Sequence, residues 1–426
     1  MDNLDKILFV SYFWPPLGGV PPQRSIRLAT KLKEKGVIPT IITTSNKYGW
    51  TTLDNSLEKQ VDDIRTIRTK SWGTDALHPE HRNIFKLLSI KTANVLALDY
   101  MYFWNFTLYS TLKRLVEEEG FRYIYNSSPP FSPLYSLYRL KKHFPDIVII
   151  EDLRDSLLGY PAIFKTGIKL KNEFRLLRCK SEERRLLRSV DIFFSATLGI
   201  REEYLSQYSF LKPDNFHILT NGYLESDWEG IPEYKPDNNF KITYTGTFPL
   251  SRSPKNFLIG MQKAIRKNRE LKDKTRIIFA GTLSDRDKIL IRNFEYGDKI
   301  ELTGVIEHKR TLELQSRSDV NLLIITSDGG KAVLTGKLFE YIRSGRPILT
   351  LVPEGESREV IRKGNLGVIC NPDDPDHIAK GILQLFEQWQ INQLYSTFNP
   401  TFSKQFSWDY LSDKFIQVLS GYSKGS

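Results

Sequence analysis

Short apolar runs alternate with stretches of helical period in both halves of the chain, the signature of parallel sheets joined by crossover helices. The run Ile7-Leu8-Phe9-Val10 reads as a buried first strand that leads through a Pro/Gly loop to a helix ending before Gly36. Residues 39–43, 123–125, 147–151, 191–195 and 217–220 are the further strands of this half, each short, apolar and bounded by turn residues. Around residues 221–239 the texture changes to Asn-Gly, Asp, Glu and two prolines without periodicity, which reads as a linker. The rhythm then restarts, with strands expected at 241–245, 276–280, 299–302, 320–325, 347–351 and 367–369. Leu258, Met261, Ala264 and Ile265 give an intervening helix its apolar face.

Length and composition support two domains. The 426 residues are 40% hydrophobic, too many for one compact core and ample for two. The expected boundaries are 1–222 for a first Rossmann-like domain, 223–239 for the linker and 240–404 for a second, with a last helix, 405–426, packing back on the first. No sequence repeat of fixed period appears. Asp2 and Asp5 before the first apolar run argue against a signal peptide. No stretch approaches the roughly 18 apolar residues that span a bilayer, so a cytoplasmic protein, at most peripheral at the inner face of the plasma membrane, is expected. Cys179 and Cys370 are the only cysteines and stand in no metal or disulfide spacing.

The net charge of +11 allows nucleic acid, an anionic membrane or a phosphorylated small molecule as partner. No aromatic-basic recognition motif favours nucleic acid. From Lys165 to Arg188 there are nine Lys or Arg against three Glu, interleaved with Ile168, Leu170, Phe174, Leu176, Leu177, Leu186 and Leu187. This suits an amphipathic helix on anionic lipid, or an ordinary solvated helix face.

Three loops carry candidate chemistry. Trp14-Pro15-Pro16-Leu17-Gly18-Gly19 lies between the first strand and a helix that Pro21 and Pro22 can start, so backbone amides there can approach a phosphate, or the glycines serve only a tight turn. After strand 241–245 come Gly246 and Thr247, then Arg252, Ser253, Pro254 and Lys255 at a helix start, with Ser253 placed to cap. Two cations there oppose the helix dipole, a conflict that an anionic ligand relieves, or both side chains simply reach into solvent. The third, Thr335-Gly336-Lys337-Leu338-Phe339-Glu340-Tyr341, followed by Ser344-Gly345-Arg346-Pro347, reads as a very short helix aimed at the carboxyl ends of the strands, where open α/β sheets bind ligands. There Glu340 can accept from two neighbouring hydroxyls and Lys337 suits a phosphate; a weak surface Lys-Glu pair is the other reading. Asp374-Pro375-Asp376 sits at a helix start, where Asp caps, and not as a metal site. His308 and His377 are expected on the surface.

Four passages together resemble glycosyltransferase family 4: Phe13-Trp14-Pro15-Pro16 with Gly18-Gly19, Asp152-Leu153-Arg154-Asp155, Thr220-Asn221-Gly222, and the segment from Gly336 to Pro347. The resemblance implies an α/β GT-B fold, two Rossmann-like domains whose parallel sheets face a central cleft, and retaining transfer of a sugar from a nucleotide diphosphate. It implies that Glu340 holds the donor ribose, that Arg252 and Lys255 neutralise the diphosphate, and that Gly18 and Gly19 border diphosphate and acceptor. Asp155 is the first-domain candidate near the reacting centre, or part of a structural pair with Arg154. Two departures stand out: Ala332 occupies the place of the family's first glutamate, and Thr247 that of an arginine. No cofactor or metal is expected, because cations and helix termini meet the diphosphate charge. The acceptor expected is a glycan or lipid-linked hydroxyl in surface polysaccharide or glycolipid synthesis. A nucleotide-sugar epimerase would share the donor site without an acceptor surface, and a noncatalytic nucleotide or nucleic-acid binder would use the positive charge alone.

Overall fold

The protein is described by a computed structural model covering residues 4–46, 53–72, 83–157, 169–232, 234–248, 252–326, 334–394 and 399–425. It divides into two units, Met1–Thr220 with Ser412–Ser426, and Asn221–Leu411.

The first unit holds a sheet of seven parallel strands in the order β3-β2-β1-β4-β5-β6-β7. They are β1 (Lys6–Val10), β2 (Ile38–Thr44), β3 (Arg65–Thr69), β4 (Tyr123–Ser128), β5 (Val148–Leu153), β6 (Ile192–Ser195) and β7 (Phe216–Ile218). Central strands such as β4 and β5 are buried at every residue, as a sheet covered on both faces requires. Five of the six crossover strands are the apolar runs seen in the sequence. The strand at Arg65–Thr69 is a sixth that the pattern does not reveal, because an edge strand reading Arg-Thr-Ile-Arg-Thr has one apolar residue. The helices used below are α1 (Gln23–Glu34), α2 (Ile84–Leu96), α3 (Asn105–Glu119), α4 (Pro133–His143), α5 (Lys169–Leu187) and α6 (Leu198–Gln207).

The second unit holds six parallel strands in the order β10-β9-β8-β11-β12-β13. These are β8 (Phe240–Thr245), β9 (Thr275–Ala280), β10 (Ile300–Gly304), β11 (Val320–Ile324), β12 (Ile348–Leu351) and β13 (Gly367–Cys370). Alternation along β8 sends Phe240, Ile242 and Tyr244 into one core with α7 (Lys255–Lys267) and α10 (Pro375–Gln390). Thr243 and Thr245 face the other side, where α8 (His308–Ser316) and α9 (Gly336–Ser344) lie. Leu338, Phe339, Tyr341 and Ile342 of α9 close the core on that side. The two-domain α/β architecture of parallel, Rossmann-like sheets is the one that the alternation implies.

The last helix, α11 (Trp408–Gly425), begins in the second unit and continues into the first. There Phe415 is fully buried on the sheet, its ring 5.0 Å from that of Phe194 and 5.8 Å from that of Tyr125. In both sheets the order reverses beside the first strand, between β1 and β4 and between β8 and β11. Such switch points are where open α/β sheets hold ligands, beyond the carboxyl ends of the strands.

Candidate functional site

At the switch point of the second sheet, the chain leaves β8 at Gly246, whose φ of +107° lies where side-chain-bearing residues are strained. Its N–H donates to Ala280 O at 2.6 Å, and Gly281 approaches so closely that a Cβ there would overlap the Gly246 backbone. Lys337 lies across Gly246, and a Cβ at 246 would overlap the end of its side chain. The Lys337 Nζ donates to the Tyr244 hydroxyl at 2.8 Å and stands 4.3 Å from the Tyr244 ring centroid. Arg252 approaches the same hydroxyl, and its buried Nε has no hydrogen-bond partner among the described residues. Burial pulls the Lys337 ammonium down to about 7; Arg252 pushes the same way and Glu340 opposes. Two cations held together around one phenol are a site waiting for negative charge.

One turn further along α9, Glu340 is held at both oxygens. Oε1 is 3.0 Å from His308 Nε2 and Oε2 accepts from Gln315 Nε2 at 2.9 Å. The same Gln315 amide donates to Thr245 Oγ1 at 3.0 Å, and the Thr245 N–H donates to the Tyr341 hydroxyl at 3.0 Å. The carboxylate is thus tied through α8 to the end of β8, with a quarter of the side chain still exposed. Helix α9 starts at Thr335 without a side-chain cap and without an acid in its first turn, and Gly345 closes it with φ +67°. The buried Thr335 Oγ1 has no hydrogen-bond partner among the described residues. An uncapped, acid-free helix start beside Lys337 favours an anion.

Gly336 opens α9 and is exposed, while the Leu338 side chain is fully buried. Leu338 is therefore core, and only its backbone can face a ligand. Thr247 is exposed, and its carbonyl accepts from Tyr244 Oη at 3.1 Å. Lys255 is the exposed first residue of α7, and no hydrogen bond or ion pair links it to Lys337 or Arg252 among the described residues. Pro254, not Ser253, holds the N-cap position, although the Ser253 hydroxyl accepts from the Lys255 N–H at 3.3 Å and donates to Asp287 at 2.6 Å. His308 is on the surface as expected, half exposed, and it also contacts Glu340, which the sequence did not reveal. His377 is exposed, and Asp374 caps α10 by accepting from the N–H groups of Asp376 and His377. Ala332 lies outside the described residues.

In the first unit Gly18 is buried and Gly19 exposed with φ +78°, in the loop that follows β1 at the switch point. Asp155 is exposed just past β5, and no ion pair joins it to Arg154 among the described residues. The Arg154 guanidinium instead donates to the carbonyls of Pro21 (2.5 Å) and Pro129. The structural pair is a different one. Arg24 grips Asp152 through Nε (2.6 Å) and Nη2 (2.7 Å), and also donates to the carbonyls of Leu219 (2.6 Å) and Thr220 (2.9 Å). The Tyr125 hydroxyl donates to the same Asp152.

The segment from Lys165 to Arg188 forms α5 from Lys169 onward, with residues 165–168 outside the description. Its apolar residues do not share one face, because Leu186 and Leu187 are core whereas Phe174 and Leu177 are 71% and 68% exposed. Arg178 is a structural residue, donating to Ala97 O at 2.8 Å, and Arg184, Arg185 and Arg188 are exposed.

Residues 239–388 match the family model described as glycosyl transferases group 1. An uncharacterized glycosyltransferase of Methanocaldococcus jannaschii is 21% identical over 255 residues, covering 58% of this chain and 62% of that protein, so the match spans less than two thirds of the relative's length. Among solved structures, the sucrose-phosphate synthase of Thermosynechococcus elongatus superposes with a TM-score of 0.65 at 14% identity, covering 99% of this chain and 100% of that one. Anabaena HepE in complex with UDP-glucose gives 0.59 at 13% identity, covering 98% and 99%. The UDP-GlcNAc 2-epimerase of Neisseria meningitidis bound to UDP-GlcNAc gives 0.56 at 13% identity, covering 98% and 100%. These likenesses establish the GT-B fold.

Proposed function

We infer that this glycosyltransferase-family protein, with the GT-B fold and a group 1 domain at residues 239–388, moves a sugar from a nucleotide diphosphate donor to a hydroxyl of a glycan or lipid-linked acceptor. The observation that carries the reading is the convergence of Lys337, Arg252 and Glu340 at the switch point of the second sheet, within the matched domain. In this reading Lys337, Arg252 and the N-terminus of α9 meet the diphosphate charge, which grows as the leaving group departs, and preorganised charge of this kind lowers the barrier. Glu340, fixed by His308 and Gln315, accepts from the ribose hydroxyls. Gly246, with no Cβ, leaves room for the Lys337 side chain to reach over the end of β8. The acceptor binds the first unit, where Gly18, Gly19 and Asp155 lie beyond the strand ends, and transfer proceeds with retention. The crystallised HepE complex with UDP-glucose supports a nucleotide-sugar donor and makes UDP the first nucleotide to test.

The cations leave a divalent ion without a necessary role, and a chelator is expected to change the transfer rate by less than about twofold. Among the described residues no helix is long and apolar enough to cross a membrane. We place the protein in the cytoplasm, with the basic residues of α5 against an anionic inner leaflet and the product a surface polysaccharide or glycolipid.

The deciding experiment incubates the protein with UDP-sugars, with and without glycan and lipid-linked acceptors, and follows UDP release and the anomeric configuration of the product by NMR. Acceptor-dependent release with an unchanged anomeric configuration supports the reading. Conversion of the donor to an epimer without acceptor replaces it with the epimerase reading, and an inverted product removes retention.

A further inference from the structure

Single exposed apolar side chains are ordinary on a protein surface, but several large ones on successive turns of one helix are not. Helix α2 exposes Ile84 by 76%, Phe85 by 75% and Leu88 by 59% in its first turns. Its sequence from Ile84 to Leu96 contains Lys86 and Lys91 and no acidic residue. At its other end Ala97 receives the hydrogen bond from Arg178, which fixes α5 beside it. Phe174 and Leu177, exposed apolar residues among the described residues of α5, lie within about one helical turn before Arg178. Of the three acids of α5, Glu183 is buried and bonded to the hydroxyls of Tyr204 (2.6 Å) and Tyr208 (2.5 Å), so it does not offset the exposed cations.

We propose that α2 and the exposed flank of α5 form one docking face for an anionic bilayer, in which Ile84, Phe85 and Leu88 enter the boundary between headgroups and acyl chains. The proposal deepens the membrane reading above and rests on it. Charge complementarity selects the occupant: large apolar residues mixed with lysine and arginine suit an interfacial helix on acidic lipid. An apolar protein groove would have no use for this excess of cations. At 13 residues α2 is too short to span the bilayer, so in this proposal it lies on the surface.

The test uses Phe85→Cys carrying an environment-sensitive NBD label. The two native cysteines, Cys179 and Cys370, are fully buried, so labelling is confined to position 85. On vesicles of phosphatidylcholine with about 30% phosphatidylglycerol, the label is expected to brighten and shift to the blue, with no change on pure phosphatidylcholine. A second variant, Ile84→Ser with Phe85→Ser and Leu88→Ser, is expected to lower co-sedimentation with the anionic vesicles about tenfold or more while UDP binding stays intact. Co-sedimentation with an unchanged label overturns insertion by α2 and leaves attachment through the charges of α5 standing. Absence of co-sedimentation removes both. Self-association that the serine variant abolishes, with no response to vesicles, assigns the face to a second copy and overturns the proposal.

Discussion

Replacing Glu340 with glutamine isolates the charge at the centre of the candidate donor site. The side chain keeps its size, and the structure says how the amide must sit. Gln315 Nε2 is a donor, so the remaining carbonyl oxygen must face it, and the new NH2 must face His308 Nε2, which accepts when the proton is on Nδ1. The pair of contacts survives and the side chain stays in place. What changes is the strength of hydrogen bonds from ligand hydroxyls. Bonds to a charged acceptor contribute about 1.5–3 kcal/mol each, against about 0.5–1.5 for neutral ones. Two ribose hydroxyls therefore lose roughly 2–3 kcal/mol in a dry site. With a quarter of the Glu340 side chain exposed, solvent reduces that figure. An affinity loss for UDP of about tenfold or more, on the order of 1.4 kcal/mol, is expected. Isothermal titration of both proteins, with circular dichroism as the folding control, measures it. Equal affinities in two folded proteins would remove Glu340 from the site, and with it the assignment of the ribose to α9.

Lys337, whose ammonium is held at about 7 by burial first and by Arg252 second, is largely neutral at pH 8, so UDP binding there is expected to take up close to one proton. Titration in buffers of different ionisation enthalpy detects it, and a Lys337→Met protein that keeps the same buffer dependence refutes the assignment. Because the folded value lies below the ordinary 10.5, the buried charge burdens the folded state at low pH. Stability from this group should rise from about pH 7 toward 10.5, a rise that Lys337→Met abolishes in urea denaturation at several pH values. In the first unit, Arg24→Met leaves Asp152 buried without its cation and should cost about 3–5 kcal/mol. An unchanged unfolding midpoint would show that Tyr125 alone satisfies Asp152.

The fold was largely legible because buried parallel strands leave apolar runs, and all but the polar edge strand Arg65–Thr69 do so. Part of the site was legible too. Lys337 and Glu340 are one turn apart on a helix bracketed by glycines, so local spacing places them together. Their partners were not. His308 and Gln315 stand on a different helix, and Tyr244 reaches Lys337 from β8; only the folded chain selects such neighbours. Gln315 did leave a trace, as a polar residue on the buried side of an amphipathic helix, though that signal does not name Glu340. Around β5, sequence adjacency misled. Arg154 and Asp155 are neighbours that do not pair, whereas Asp152, three positions earlier, points into the sheet and meets an arginine from α1.

Helix α11 has a consequence for how the chain is made. The first unit closes its sheet with Phe415 and Leu419, but all of Asn221–Leu411 is synthesised before those residues exist. Domains generally fold as units during synthesis, the earlier one first. Here the strands of the first unit emerge long before Phe415 is made, and until it arrives they show an uncovered strip across Tyr125 and Phe194, the rings that Phe415 later covers. That strip is a waiting surface for chaperones on the nascent chain.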